Sequence, residues 1–345
     1  MIRACIIVFL SCLLLFDVGE TLSVKNRRPK ALYCSGAGVY FFWQVGAAKY
    51  LQEACAWEDM PIIGASAGSL TGLLLLGGVN FDMAVDVALR QAEERKVWTK
   101  KSGLRGELSS LLADWMEEVL PRELSQETLG QLSIALTPPP VNPLKVEPPI
   151  LESGFVSRED VIAACLASCH IPFFSSGSMT ASYRGKEFID GSFFYWVTKN
   201  RFSGLPLPEC DPDDVMWIDY CDDQIFMEKI KNKSFLDVHD PVAVREMVDA
   251  GYEYLKLAHY EDRLPLTITP KPTNMPRTSV LRPTASKLEK EIREFKKKKG
   301  LLEEEESGRE ALNEVAPAMS MHQAGLSGSM QDFTMWMPSP PTPFE

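Results

Sequence analysis

The pentapeptide Gly64-Ala65-Ser66-Ala67-Gly68 stands between the apolar run Pro61, Ile62, Ile63 and the leucine-rich residues 70–76, and few backbones accommodate that succession. Small residues on either side of a central serine let the chain turn tightly from strand to helix, so the hydroxyl stands exposed at the start of the helix. A helix N-terminus also favours negative charge that develops beside it. The turn is therefore a candidate nucleophile elbow, with Ser66 as nucleophile and Gly64 and Gly68 as the residues that permit the turn. An ordinary turn can carry the same letters, because glycine, alanine and serine are common. Two further segments favour the chemical reading.

Upstream, Ala31-Leu32-Tyr33-Cys34 reads as a short buried strand that runs into Ser35-Gly36-Ala37-Gly38, followed by a helical stretch over residues 42–56. Gly-rich backbone between strand and helix presents N–H groups that can hold a phosphate, stabilise an oxyanion or simply cap the helix. A dinucleotide site would need a third glycine where Phe41 stands and an acidic residue at the end of the second strand. Glu58 and Asp59 instead precede that strand. The oxyanion reading asks only for N–H groups near Ser66, which adjacent strands of one parallel sheet would supply. Downstream, Phe188-Ile189-Asp190-Gly191-Ser192 delivers a carboxylate from an apolar strand end into a turn. Asp-Gly alone signals no more than a turn. This one follows residues 161–174, a cysteine-containing helical stretch ending in His170-Ile171-Pro172-Phe173-Phe174.

Together these segments resemble the patatin-like phospholipase family, including its branch similar to adipose triacylglycerol lipase. The Gly-rich loop corresponds to residues 35–41 with Val45-Gly46 in register, the elbow to Gly64 through Gly68, and the Asp-Gly turn to Asp190-Gly191-Ser192. Residues 164–174 look like the family's Ala-Ser-x-x-Ile-Pro segment, and residues 244–252 resemble its closing helix. The resemblance covers roughly residues 30–260 in order, which is more specific than any one motif. It implies an α/β fold, three-layer α/β/α with a mostly parallel central sheet. It also implies a Ser66–Asp190 dyad without histidine, an oxyanion hole at Gly36, Ala37 and Gly38, and neither metal nor organic cofactor. The implied partner is a glycerolipid substrate at a membrane or lipid-droplet surface. Phe41 departs from the pattern, standing where the family has the loop's last glycine; a positive φ there would strain a phenylalanine. That departure raises the alternative of a catalytically silent module that binds lipid or a protein partner.

A free aspartate has a pKa of about 3.9, so Asp190 would accept the serine proton only as attack proceeds. Losing one oxyanion donor in other hydrolases costs about 2.7–4 kcal/mol, which ranks the amides of Ala37 and Gly38 beside the dyad in importance. A serine–carboxylate–histidine triad using His239 or His259 is the rival, and chain order permits it. Ser66, however, follows only two predicted strands, whereas the serine of a triad α/β-hydrolase follows several. His239 reads as a loop residue beside Asp237 and Asp240, and His259 as a surface residue of a helix over residues 246–260. His170 reads as a structural residue at a helix end, where a histidine suits the dipole.

With 345 residues, 45% of them apolar, the chain can build one substantial α/β domain, expected over residues 30–262. A formal charge of −11 and the lack of a basic stripe with interleaved aromatics exclude nucleic acid as a partner. The same acidity disfavours an electrostatic hold on anionic membranes. Lipid contact would then fall to Phe41, Phe42, Trp43, Phe193, Phe194, Tyr195 and Trp196, which equally suit a core. Arg3 followed by the 13-residue apolar run 4–16 reads as a signal peptide or N-terminal anchor over residues 1–23, hence secretory-pathway or endomembrane localisation. The Asn232-Lys233-Ser234 sequon is consistent with that route. Cys165 and Cys169 share a helix face as core residues, and Cys210–Cys221 is a candidate disulfide. Strands are expected over residues 133–137 and 213–220, and a capping box at Ser157-Arg158-Glu159-Asp160. Residues 263–345 read as a charged, Pro- and Met-rich tail, partly disordered.

Overall fold

The structure is a computed structural model that describes residues 28–140, 147–198, 211–261, 263–264 and 269–270. All of them fall within the unit Met1–Lys271. The expected leader, the Cys210 half of the candidate disulfide, the Trp196 side chain and the tail from residue 271 onward lie outside the described residues.

Strand β1 (Ala31–Cys34) leads through the glycine-rich turn into α1 (Phe41–Ala54), and β2 (Cys55–Ala56) follows directly. Next come β3 (Ile62–Ala65), the serine turn and α2 (Ala67–Leu76), then α3 (Phe81–Glu94), α4 (Leu108–Val119) and α5 (Gln126–Gln131). Strands β4 (Leu132–Leu136) and β5 (Ile150–Glu152) precede α6 (Arg158–Ser168), the hairpin β6 (Ala181–Tyr183) and β7 (Lys186–Phe188), and α7 (Phe193–Thr198). The described chain closes with β8 (Val215–Ile218), α8 (Gln224–Ile230), α9 (Pro241–Tyr260) and β9 (Thr269–Pro270).

Five strands build the central sheet in the order β5-β4-β3-β1-β8. The pairs β8–β1, β1–β3 and β3–β4 are parallel, and β4–β5 is antiparallel. The register sets Cys34 against Gly64 and Ala65 against Ala135, so the turns that leave β1, β3 and β4 open along one edge of the sheet. In open α/β sheets this carboxyl edge is where ligands bind. All four residues of β1 and of β3 are buried, as expected when both faces of a parallel sheet are covered. Leu32, Cys34, Ile62, Ile134 and Met216 join the large core that includes the helices. Ala31, Tyr33, Ile63, Ala65, Ala135 and Val215 form a smaller cluster on the opposite face, where the Tyr33 and Trp217 rings lie 4.3 Å apart. The arrangement is the expected three-layer α/β/α fold with a mixed, mostly parallel sheet.

Two helices end earlier than the sequence suggests. Helix α1 stops at Ala54 because Cys55 and Ala56 are extended and pair antiparallel with β9. Helix α6 begins as the capping box predicts, with Asp160 N donating to Ser157 Oγ at 3.1 Å, but it ends at Ser168 rather than Phe174. Pro172 disfavours helical backbone in the residue before it and offers no N–H.

Helices α1 and α9 touch backbone to backbone. A Cβ on Gly46 would lie 1.9 Å from Val248 O, and one on Gly251 would lie 1.8 Å from Trp43 O. No side chain fits at either contact, so the carbonyls fix how closely the helices approach. Gly251→Ala is expected to destabilise the protein by about 1–3 kcal/mol in urea unfolding. Gly130→Ala, where an added Cβ meets nothing within 4 Å, should be neutral or slightly stabilising. Equal effects at the two positions would contradict this account of the helix contact.

Candidate active site

The serine turn is built by exclusion of side chains. A Cβ on Gly68 would fall 1.9 Å from Cys34 O, and one on Gly64 would fall 2.5 Å from Ser69 Cα. The first turn of α2 therefore rests directly on the end of β1. Ser66 is left at φ 53°, ψ −127°, a conformation that costs a non-glycine residue of order 1–3 kcal/mol. Surrounding bonds hold it there: Ser69 N and Ser69 Oγ both donate to Ser66 O, at 2.8 and 2.6 Å. Ser66 N donates to Ser168 Oγ at 2.8 Å, and Ser168 Oγ donates onward to Ala135 O at 2.8 Å.

Asp190 arrives from the other side of β4. Ile189 bridges Thr137 just beyond the strand, Asp190 N donates to His170 O at 2.8 Å, and Gly191 N donates to Ser168 O at 2.8 Å. Gly191 needs to be glycine because a Cβ would lie 2.1 Å from Ala135 O. The carboxylate is 6% exposed and receives the Ser66 hydroxyl on Oδ2 at 2.5 Å. Its Oδ1 accepts Ser192 N at 2.9 Å and Ser192 Oγ at 2.6 Å. Burial pushes the Asp190 carboxyl above the usual carboxylate range, while the donors from Ser192 and Ser66 pull it back. Its proton affinity thus moves toward neutral pH, which suits a general base.

The glycine-rich loop lies alongside. A Cβ on Gly36 would meet Ser192 Oγ at 2.2 Å and Ser66 Cβ at 3.5 Å, so the loop backbone passes over the dyad. Gly38 takes φ +55° with Phe235 O and the Phe235 ring against it, and Val39 N donates to Phe235 O at 2.8 Å. The amides of Ala37 and Gly38 meet no acceptor among the described residues. Phe41, by contrast, sits at φ −41°, ψ −40°, ordinary right-handed helix. The expected strain at Phe41 is absent, because the left-handed residue of the loop is Gly38. Gln44, fully buried, secures the loop by donating to Ser35 O at 2.7 Å while accepting from Thr71 Oγ1 at 3.1 Å. Ser168 and Gln44 were not legible as site residues, because partners such as Ala135 and Thr71 come from segments distant in sequence, and Ser192 was not because the letters of the Asp-Gly turn do not show its hydroxyl turning back onto Asp190.

Ser66 stands at one end of a pocket of about 140 Å³, whose wall is almost entirely apolar. Gly38, Phe41, Leu70, Leu112 and Trp115 belong to it. The Phe41 ring meets Trp115 edge-on at 5.6 Å, and Trp115 is pinned by its Nε1 donating to Ala84 O at 2.9 Å. Of the aromatic residues weighed for lipid contact, Phe41 and Phe42 line this pocket, whereas Trp43 is core, with Nε1 bonded to Asp223. Phe193, Phe194 and Tyr195 are half-buried.

Among the described residues no histidine joins Ser66 and Asp190. His170 is buried beyond the end of α6, its Nε2 pairs with Ser178 O, and burial lowers its pKa, so it is neutral rather than a cation at the helix dipole. His259 is half-buried, with Nδ1 bonded to Tyr50 OH at 2.8 Å, rather than a plain surface residue. His239 lies in the expected loop but also lines the pocket, and its Nε2 is buried without a partner among the described residues. Neither Ser66 nor Asp190 bonds to a histidine ring, so the triad arrangement is not formed. Cys169 also lines the pocket, its thiol pushed well up by burial and therefore not a competing nucleophile. Among the described residues no group of three His, Cys, Asp or Glu side chains is placed to hold a metal ion.

The chain is 29% identical over 171 residues to human 1-acylglycerol-3-phosphate O-acyltransferase PNPLA3, covering 48% of this chain and 34% of that protein. It is 27% identical over 189 residues to human omega-hydroxyceramide transacylase, covering 51% and 34%. Human patatin-like phospholipase domain-containing protein 2 matches at 28% identity over 162 residues, covering 46% and 30%. The chain thus spans about a third of the length of these relatives. The patatin-like phospholipase family model matches residues 32–197, a stretch that holds the glycine-rich loop, Ser66 and Asp190, and this stretch is therefore a patatin-like phospholipase domain.

Proposed function

We propose that this protein is a lipid acyl hydrolase that cleaves carboxylic esters of glycerolipids through a covalent acyl-enzyme on Ser66. The observation that carries this reading is the 2.5 Å bond from Ser66 Oγ to a buried Asp190 carboxylate at the head of an apolar pocket. In the first step Ser66 Oγ attacks the ester carbon while its proton passes to Asp190 Oδ2. The negative charge that forms on the carbonyl oxygen is held by the Ala37 and Gly38 amides and favoured by the N-terminus of α2. Asp190 then returns the proton to the departing alcohol as the carbon–oxygen bond breaks, leaving the acyl group on Ser66. Water, deprotonated by Asp190, attacks that acyl group; Ser66 regains its proton and the fatty acid leaves.

The pocket fits the acyl chain. An engineered apolar cavity of about 150 Å³ admits benzene, so the space open here already accommodates a comparable length of hydrocarbon. Val238 lines the pocket and is exposed, as are Val242, two residues before the lining residue Val244, and Phe173, next to the lining residue Phe174, which supports delivery of substrate from a membrane or droplet surface. The N-terminal apolar run supports a site of action in the secretory pathway or endomembranes. Two relatives bear transferase names, which supports a second reading: a lipid alcohol in place of water as the final acceptor.

Purified full-length protein on glycerolipid vesicles is expected to release fatty acid. Ser66→Ala and Asp190→Asn should each lower the rate at least about a thousandfold. Retained activity in Ser66→Ala would refute the reading, and acylated alcohol in place of fatty acid would favour the transferase. Because burial raises the Asp190 pKa, activity should fall on acidification at a pH above the ordinary aspartate value of about 3.9.

The same shift has a stability consequence. A raised folded-state pKa contributes stability below the unfolded pKa, and that contribution is lost as pH rises through the folded value. Asp190→Asn should therefore raise the Tm at neutral pH and lose that gain below about pH 4. Finally, Phe41→Ala and Trp115→Ala should move the acyl-length profile of kcat/KM on p-nitrophenyl esters toward longer chains. An unchanged profile would place the acyl chain elsewhere.

A further inference from the structure

We infer that Ser192 is a positioning residue that sets the proton affinity and orientation of Asp190. This inference rests on the dyad reading. Both oxygens of the carboxylate are committed: Oδ2 faces Ser66, while Oδ1 takes two donors from the same residue, Ser192 N at 2.9 Å and Ser192 Oγ at 2.6 Å. The amide donor is available to any residue at position 192, but the hydroxyl is not. Ser192 is itself buried and lies against Gly36, where a Cβ would come 2.2 Å from its Oγ. One hydroxyl therefore fills the space between the base and the backbone of the oxyanion loop.

The remaining surroundings offer the carboxylate no charge compensation. The Tyr33 phenol on β1 and the Cys169 thiol at the end of α6 both have pKa values raised by burial and remain neutral. His170, whose carbonyl accepts Asp190 N, has its pKa lowered and is also neutral at pH 7. Asp219, which with Asp190 acts on Tyr33, is a carboxylate that accepts Cys221 N at 3.0 Å. Among the described residues no cation acts on Asp190, so donated hydrogen bonds are what favour the ionised form of this desolvated base. A bond to a charged acceptor is among the stronger ones, so removal of the hydroxyl should raise the Asp190 pKa by about one unit.

The test uses the full-length protein and a long-chain alkyl fluorophosphonate, with the rate of Ser66 labelling read by intact mass across the acidic and neutral range. Wild type, Ser192→Ala and Ser192→Gly are compared, with thermal unfolding as the check that each variant is folded. The acid limb of the labelling rate is expected to shift upward by about one pH unit in both variants. A merely structural role would lower the rate at every pH and leave the midpoint in place. Unmoved midpoints in both variants, or no labelling of either while folded, overturn the inference. Labelling that persists in Ser66→Ala removes the dyad reading itself, and is distinguished because it appears without any change at position 192.

Discussion

No side chain fits between the first turn of α2 and the end of β1, and the catalytic geometry follows from that contact. Because a Cβ on Gly68 would fall 1.9 Å from Cys34 O, the chain leaving β3 has to reverse within one residue. That residue is Ser66, held at positive φ. The strain is sustained by bonds from three directions: its carbonyl is held by Ser69, its amide by Ser168, and its hydroxyl by Asp190. Ser168 ties the two sides of the site together. Its Oγ joins Ser66 N to Ala135 O, and its carbonyl receives Gly191 N, so one residue at the end of α6 indexes nucleophile and base to the same strand.

Electrostatics then separates this site from a triad. A histidine would supply a base already matched to neutral pH. Here the proposed base is a carboxylate, and desolvation moves its pKa in the useful direction. Unchecked, the same desolvation would push it higher still, and the Ser192 and Ser66 donors supply the opposing pull. The glycine-rich loop is held as firmly as Asp190. Gln44 links it to α2 and to the end of β8, and Phe235 O receives Val39 N from outside the turn.

How much of this was legible depends on whether the constraint is local. Gly64, Gly68, Gly36 and Gly38 were readable because each answers to a turn within a few residues of itself, and Asp190 because it stands in such a turn at a strand end. Ser168 and Gln44 were not, because a buried serine or glutamine takes its role from partners such as Ala135 and Ile218, set by sheet register; Ser192 was not because the turn's letters leave open whether its hydroxyl faces Asp190 or solvent. Phe41 shows the opposite error. Matching a motif letter by letter assigned it a glycine's duty, yet the positive φ falls at Gly38, and Phe41 already belongs to α1, where its ring is free to line the pocket. His239 read as a plain loop residue, since nothing in its neighbours announces that the loop folds over the pocket wall.

The central claim is that Ser66 carries the acyl group between two half-reactions served by Asp190. Rapid acid quench of the protein during turnover of an acyl ester, followed by peptide mass mapping, tests it most directly. The account predicts one acyl group on the peptide containing Ser66, appearing before steady state and decaying once substrate is exhausted. Turnover with no acylated peptide, or with the acyl group on a different residue, would contradict it.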